Sequence, residues 1–437
     1  MSATIAAEEL RVGMFVHLDL GWWAHPFALS SFKIASPDQI ATIRGLGLER
    51  VRWSPDKSTL DDGQDAHTAP AAPEVPADTQ TAEAPSAGVR AQEPPEQQQV
   101  RQRRERLAVQ REASRLCTRQ YNEAARSWKS ATDQVLEQPR LAREAAVGLT
   151  SALLGKMLID GEVCIRVLTE AQGDRSTAHA LNVAVISMLM GRVFGFSQAE
   201  MLDIGVGALL HDVGKLDLPD RVRHADPGSS SADHALYQEH VARGVALGKR
   251  MDLSAAALLV IAQHHEMADG SGFPQRLSVD RMTAAARIVA LVNRYDNLCD
   301  PALPVHALTP HEALSLIFAQ TRAKFDAPML NAFIRMMGVY PPGSVVQLTD
   351  DRYALVTNVN STRPLKPRVL VYDPAVPVDE ALQMNLEHHA DVGIRRSLRP
   401  QQLPAPALQY LSPRQRVIYF FEPAATPNSG FGQELAA

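Results

Sequence analysis

The stretch from Leu209 to Pro274 constrains this chain more than any other. It holds Leu210-His211-Asp212-Val213-Gly214-Lys215, then His240, then His264-His265-Glu266, then Asp269-Gly270-Ser271-Gly272-Phe273-Pro274. His211, Asp212, His240, His264 and His265 thus fall in apolar or glycine-punctuated surroundings. Imidazole with carboxylate is a ligand set for transition metals such as Fe, Mn, Ni or Zn. Each piece alone also fits a buried histidine bonded to its neighbour. The whole ordered set favours a metal centre.

A two-metal hydrolytic site needs cations about 3.5–4 Å apart, bridged, capped and open to water. A carboxylate bridges with its two oxygens, and Asp212 is placed to do so. His211 beside it can feed one metal, and His240 with His264-His265 can cap the second from other helices. Lys215, three residues past Asp212, shares its face on a helix. Its ammonium can meet charge developing on a phosphoryl group.

At 437 residues the chain has room for two to four domains, and its 45% apolar content suits substantial cores. A net charge of −5 argues against a nucleic-acid polymer as partner. Cys117, Cys164 and Cys299 have no metal-like spacing and are odd in number, which fits a reducing compartment better than a disulfide framework. No basic flank followed by a long apolar run opens the chain. The most apolar window, Ala180 to Phe196, carries Asn182 and Arg192 and reads as a core helix. The expectation is a cytoplasmic protein without a membrane anchor.

The expected fold class is mainly α: a helical bundle with a small N-terminal α+β domain and a small C-terminal β domain. Residues 1–60 form the first, with strand–turn–strand over Leu10–Leu18 and a short helix from Ser36-Pro37-Asp38. Gly21-Trp22-Trp23-Ala24-His25-Pro26-Phe27 reads as a compact aromatic core. Residues 61–100, rich in Ala, Pro, Glu and Gln, cannot bury enough surface to offset their ordering entropy and read as a disordered linker. Residues 101–145 form a connecting helix, with Cys117, Tyr121, Ala124, Trp128, Ala131 and Val135 at heptad spacing. That stripe fits packing on the chain's own domain or a homodimer or signalling partner.

Residues 146–340 read as almost all helix, with three and four spacing through Val147–Leu168, His179–Phe194, Met201–Leu210, Leu253–Ile261, Met282–Val292 and Leu314–Phe318. An antiparallel bundle can aim ligands from several helices into one interior. The polar stretch Arg223–Asp233 is either a lid or plain surface. In the turn Asp269–Pro274 the glycines serve either positive φ or a close substrate approach. Residues 341–437 change to alternation, with strands at Val345–Leu348, Tyr353–Val356, Arg368–Tyr372 and Val417–Phe421, and a frayed tail from Thr426.

The order HDxGK, His, HHE, DGxGFP resembles the HD-GYP family, a branch of the HD superfamily of metal-dependent phosphohydrolases. The likeness covers roughly residues 150–340, and the N-terminal segment resembles an uncharacterised domain that often precedes it. It implies a phosphodiesterase that opens cyclic di-GMP to linear pGpG, or further to GMP, with two divalent ions, Fe or Mn being frequent. It implies that His179, in Ser176-Thr177-Ala178-His179, joins His211, Asp212 and position 293 on one metal. Asp212, His240, His264 and His265 would hold the other. Asp212 and Lys215 would carry the catalysis. Gly272, Phe273, Pro274 and Lys215 would meet the substrate.

This sequence departs from the family at three places. Phe273 stands where Tyr is usual, Asn293 where Asp is usual, and Asn297-Leu298-Cys299-Asp300-Pro301-Ala302 replaces a basic segment. Those departures keep two other readings open: a catalytically weak receptor for the nucleotide or a partner protein, and a phosphohydrolase of another nucleotide. Members that hold a third metal use a Glu four residues before the first His. Here that residue is Arg175, whose guanidinium has no lone pair to give. Metal analysis of an active preparation should therefore find no more than two ions per chain, and a stoichiometry near three would overturn this.

Overall fold

The computed structural model describes residues 3–20, 31–59, 94–158, 163–169, 171, 173–223, 230–360, 362–414 and 416–423. The chain divides into two compact units, with the boundary inside one long helix at Ala108. The expectations for the Trp22-Trp23 motif, most of the Ala/Pro-rich linker, the centre of the Arg223–Asp233 stretch and the tail fall outside the described residues.

The first unit is a small antiparallel sheet with one helix. Its strands are β1 (Ala3–Ala6), β2 (Phe15–His17), β3 (Ser31–Lys33) and β4 (Arg50–Trp53), in the order β1-β4-β2-β3, with α1 at Pro37–Gly45. Ser36 caps α1 by accepting from the Gln39 amide, with Pro37 in the first turn. Residues 10–12 do not form the first arm of a hairpin as expected. Gly13 takes φ 93 in a turn, and β4 and β3 flank β2 instead.

The long helix α2 spans Pro95–Asp133, and α3 spans Pro139–Met157. The expected connecting helix is therefore two helices, and Pro139 sits in the first turn of the second. Cys117, Tyr121, Ala124, Trp128 and Val135 are buried in the chain's own core. Then come β5 (Val163–Val167), α4 (Arg175–Val193), α5 (Gln198–Leu210), α6 (Ser231–Arg250), α7 (Ala255–Gln263), α8 (Ala284–Cys299), α9 (Pro310–Gln320) and α10 (Ala327–Met337). Helix α4 is the central one: every residue from Thr177 to Gly191 is buried. Among the described residues no helix is long and apolar enough to cross a membrane.

A second sheet follows, with β6 (Val345–Leu348), β7 (Tyr353–Asn360), β8 (Arg368–Val371), β9 (Met384–Asn385), β10 (Ile394–Leu398), the helix α11 (Ala405–Leu411) and β11 (Tyr419–Pro423). The strands expected from alternation are all present. The helical reading through Leu168 is corrected, because α3 ends at Met157 and Val163–Val167 is a strand in this sheet. The order is β10-β6-β7-β5-β11, all antiparallel, with β8 on β7 and β9 on β8. A short apolar run does not declare its period, and Val163-Cys164-Ile165 fits either element locally. Pairing with Asn360 and Phe421 decides for the strand.

The Arg166 and Glu422 side chains pair at 2.9 Å across β5 and β11 with exposures of only 5% and 10%. Asn358 of β7 donates to the same carboxylate. Removing one partner of such a pair strands a buried charge, at a cost of about 3–5 kcal/mol. Glu422→Gln should lower stability to urea by roughly that amount, and the apolar double variant Arg166→Met with Glu422→Leu should recover most of it. Equal loss in single and double variants would show that packing, not charge, sets the cost.

Candidate metal centre

Two helices and the ends of two others deliver the candidate ligands. Helix α4 carries His179 and α6 carries His240. His211 and His264 are the C-cap residues of α5 and α7. Asp212 follows His211 and opens a 3-10 turn over Val213–Asp217 that contains Lys215. The expected α-helical relation of Asp212 and Lys215 is thus a tighter turn, and it still brings the two side chains together.

The protons on the imidazoles can be placed from their partners. His211 Nδ1 lies 2.7 Å from the Ala208 carbonyl, His240 Nδ1 2.6 Å from that of Tyr237, and His264 Nδ1 2.7 Å from that of Ile261. A carbonyl only accepts, so each Nδ1 donates and each neutral ring turns an Nε2 lone pair inward. His179 Nδ1 lies 2.6 Å from Asp296 Oδ2, which orients that ring in the same sense.

These lone pairs meet in two sets. His179 Nε2 and His211 Nε2 are 3.1 Å apart, and His240 Nε2 and His264 Nε2 are 3.2 Å apart. Two lone pairs at that distance repel unless a cation lies between them. Neighbouring nitrogens on one ion, each about 2.0–2.1 Å from it, stand about 3 Å apart. Asp212 faces both sets. Its Oδ1 is 3.6 Å from His240 Nε2 and 3.6 Å from His264 Nε2. Its Oδ2 is 3.5 Å from His211 Nε2 and 3.7 Å from His179 Nε2.

Asp212, His240, His264 and His265 form one ligand group, and His179, His211 and Asp212 the other. Among the described buried atoms, Asp212 Oδ1 and His265 Nε2 have no hydrogen-bond partner. Orphaned acceptors, converging lone pairs and a linking carboxylate all fit metal ions.

The electrostatics agree. Burial holds His211 and His265 well below the ordinary imidazole range, and His240 is lowered to about 3 by the same cause. These rings are neutral near pH 7, the form that binds metal. Burial works to raise Asp212, but the Lys215 charge and the surrounding imidazoles override it and hold the carboxyl well below its ordinary value. Lys215 Nζ sits 2.6 Å from Asp212 Oδ2 and 5.1 Å from the centre of the Tyr237 ring.

Asn293 lies apart from these contacts. It is buried one turn before Asp296 on α8, and its Oδ1 accepts from the Asn297 side chain at 2.6 Å. Asp296 itself uses Oδ2 on His179 and Oδ1 on the Asn182 amide at 2.8 Å. Both of its oxygens are thus engaged in support of a ligand. The sequence reading missed this role, and missed Tyr237. The available signal was Asn182, a polar residue three positions after His179 in the most apolar window.

The Asp269–Pro274 turn is latched to the ligand pair. Glu266 accepts from the Gln275 amide at 2.7 Å and the Leu277 amide at 2.8 Å. The Phe273 amide donates to the His265 carbonyl at 3.1 Å, and its ring stacks on His265 at 4.4 Å. Gly270 takes φ 76. Gly272 is needed for another reason: a Cβ there would run into the backbone of His265, Glu266 and Met267. Pro274 is exposed beside the half-buried Phe273.

Residues 162–329 match the HD domain family. The chain is an HD-domain protein. Its motif order is that of the HD-GYP branch, and residues 2–146 match a domain of unknown function, DUF3391. The chain is similar to a cyclic di-GMP phosphodiesterase of Pseudomonas aeruginosa, 24% identical, over 87% of this chain and 88% of that one. It is also similar to the cyclic di-GMP phosphodiesterase response regulator RpfG of Xanthomonas campestris pv. campestris, 28% identical, over 46% of this chain and 56% of the relative. A solved HD-GYP-type structure from Bdellovibrio bacteriovorus aligns at a TM-score of 0.40 and 14% identity, over 76% of this chain and 98% of that one.

Within the HD domain, Gly214 allows α6 to approach the HDxGK turn. A Cβ at Gly214 would meet the His240 carbonyl and the Gly244 backbone, neither of which can rotate away. Gly214→Ala should therefore displace His240 from Asp212 and weaken metal binding at least about tenfold, comparable with loss of a supporting contact. Isothermal titration with Mn(II) checks this, and unchanged affinity in a folded variant would show that α6 yields.

Proposed function

We propose that this chain is a metal-dependent phosphodiesterase that hydrolyses cyclic di-GMP to linear pGpG, or further to GMP. The observation that carries the reading is Asp212, with one oxygen toward each pair of inward-facing imidazole lone pairs. The names of the similar proteins support the substrate class. When bound, two divalent ions, Fe or Mn, supply Lewis acidity and a nucleophilic water near neutral pH.

The chain's own residues do the rest. His179 and His211 would hold one ion and His240, His264 and His265 the other, with Asp212 placed to serve both. Asp296 keeps the His179 lone pair aimed inward. Lys215 carries positive charge beside Asp212, where it stabilises the charged phosphoryl group. Phe273 packs flat on His265 and fixes that ring, while the Glu266 latch holds the turn that carries Gly272 and Pro274. Asn293, whose Oδ1 now accepts from Asn297, would join the first set as a neutral oxygen ligand only by turning its amide away from that contact.

The second reading, a weakly catalytic receptor, is favoured by Asn293, because an amide oxygen brings no charge to neutralise the cation, and by the missing basic segment at 297–302. One titration decides between them. Protein stripped of metal is supplied with Mn(II) and cyclic di-GMP. Asp212→Ala should lose activity by more than about 100-fold while remaining helical, and Asn293→Asp should reach half-maximal activity at roughly tenfold less Mn(II). Full activity in Asp212→Ala would overturn the centre, and an unchanged metal dependence in Asn293→Asp would remove Asn293 from it.

A further inference from the structure

A second cleft, of about 550 Å³, lies where the start of α9 meets the edge strand β10. It shares no residue with either ligand group of the Asp212 centre. Its size is that of a small-molecule site. Arg395, Arg396 and Arg399 line it from β10 and the turn after it, His311 from the first turn of α9, and Tyr340 from the segment after α10.

The strand β10 carries an extra residue. Ile394 faces Leu348 and Arg396 faces Gln347, with Arg395 bulged between them. A bulge re-aims side chains, and here two consecutive arginines reach the same cleft. Arg395 pairs with Asp351 and donates from Nη2 to the Thr349 carbonyl at 2.7 Å. Arg399 donates from Nε to Glu312 Oε1 at 2.6 Å. Arg396 differs from both. Its Nε donates to the neutral Gln347 Oε1 at 3.0 Å, and it has no carboxylate partner among the described residues. Asp350, on the neighbouring turn, is taken by Arg352 at 2.5 Å.

The cleft also holds an aromatic pair. His311 and Tyr340 stack with ring centres 5.0 Å apart and planes 21° from parallel. Nδ1 of His311 donates to the Val339 carbonyl at 2.8 Å, which fixes that ring. Charge on an edge strand also guards it against pairing with another chain. That role needs neither a cleft nor a stacked pair beside it.

We propose that this cleft binds a mononucleotide, with the phosphate on the Arg396 fork and the base on the His311–Tyr340 stack. The planar guanidinium matches phosphate oxygens two at a time, and every base has a face that stacks on aromatic rings. Asp351 and Glu312 hold the flanking arginines in place before the ligand arrives. Under the phosphodiesterase reading the product GMP belongs to this class, but the binding claim does not depend on that reading.

The test titrates GMP, guanosine and inorganic phosphate into the full chain by calorimetry, in wild type and in Asp212→Ala, which lacks the carboxylate of the metal centre. GMP should bind both proteins equally and more tightly than guanosine or phosphate. Arg396→Gln should weaken GMP about tenfold, the loss of one charge-assisted contact, with Arg396→Lys between it and wild type. Tyr340→Leu should weaken GMP by about tenfold and leave phosphate unchanged, the loss of a stacking partner. Should Tyr340→Leu not fold, His311→Ala removes the other ring and carries the same comparison. Absence of GMP binding, its loss in Asp212→Ala, or unchanged affinity in Arg396→Gln and Tyr340→Leu would overturn the site. Phosphate binding as tightly as GMP would show an anion site without base recognition and would overturn it as well. A chain that fails to cleave cyclic di-GMP yet shows the expected GMP pattern would keep this site while the phosphodiesterase reading falls.

Discussion

Three imidazole protons, each given to a carbonyl one turn back, set the direction in which the rest of the centre must point. With Nδ1 committed to Ala208, Tyr237 and Ile261, the rings of His211, His240 and His264 have only Nε2 lone pairs to present. Burial forbids the cheaper escape of protonating His211 and His240. Neutral rings with converging lone pairs are a poor arrangement for a protein left to itself. They become favourable with cations, and Asp212 supplies negative charge midway between the two sets.

Helix ends add to this. Ala208 and Ile261 lie in the last turns of α5 and α7, where carbonyls have no partner within the helix. The histidine N–H groups satisfy these carbonyls and are oriented by them, so one bond serves both needs. Two helix C-termini also converge on the centre, and their partial negative charge favours cations. The adjacency of His211 to Asp212, and of His264 to His265, follows from the same geometry. A C-cap residue points back along its helix while its successor can turn into the cavity.

Such local logic explains what could be read from the sequence. His211, Asp212, Lys215, His264 and His265 lie in short segments where neighbours along the chain are neighbours in space. The apolar periods of α4, α5, α7 and α8 and the alternation of β6, β7, β8 and β11 are likewise local. The strand β5 was hidden because its partners, Asn360 and Phe421, lie far along the chain. Asp296 was hidden for a similar reason: its carboxylate takes its meaning from His179, on another helix. Gly272 shows a subtler limit. Sequence suggested a choice between turn geometry and substrate approach, whereas the space its missing side chain leaves is filled by the backbone of the HHE segment.

The two halves of the centre are supported by different parts of the molecule. On the His240, His264 and His265 side, support is close by: Glu266 pins the turn, Phe273 covers His265, and Gly214 admits α6. On the His179 side it is remote. Asp296 is held by the Asn182 amide, which also donates to the Val417 carbonyl at 2.9 Å, while Asn182 Oδ1 accepts from the Tyr419 amide at 2.8 Å. That makes β11 part of the support of a metal ligand. β11 is in turn fixed to β5 and β7 by Glu422 with Arg166 and Asn358, and Cys117 of α2 reaches the same carboxylate at 3.8 Å. A buried polar network of this kind is stable only when all its members are satisfied. A change in the sheet or in α2 would therefore be felt first at His179, and the two metal positions need not respond alike.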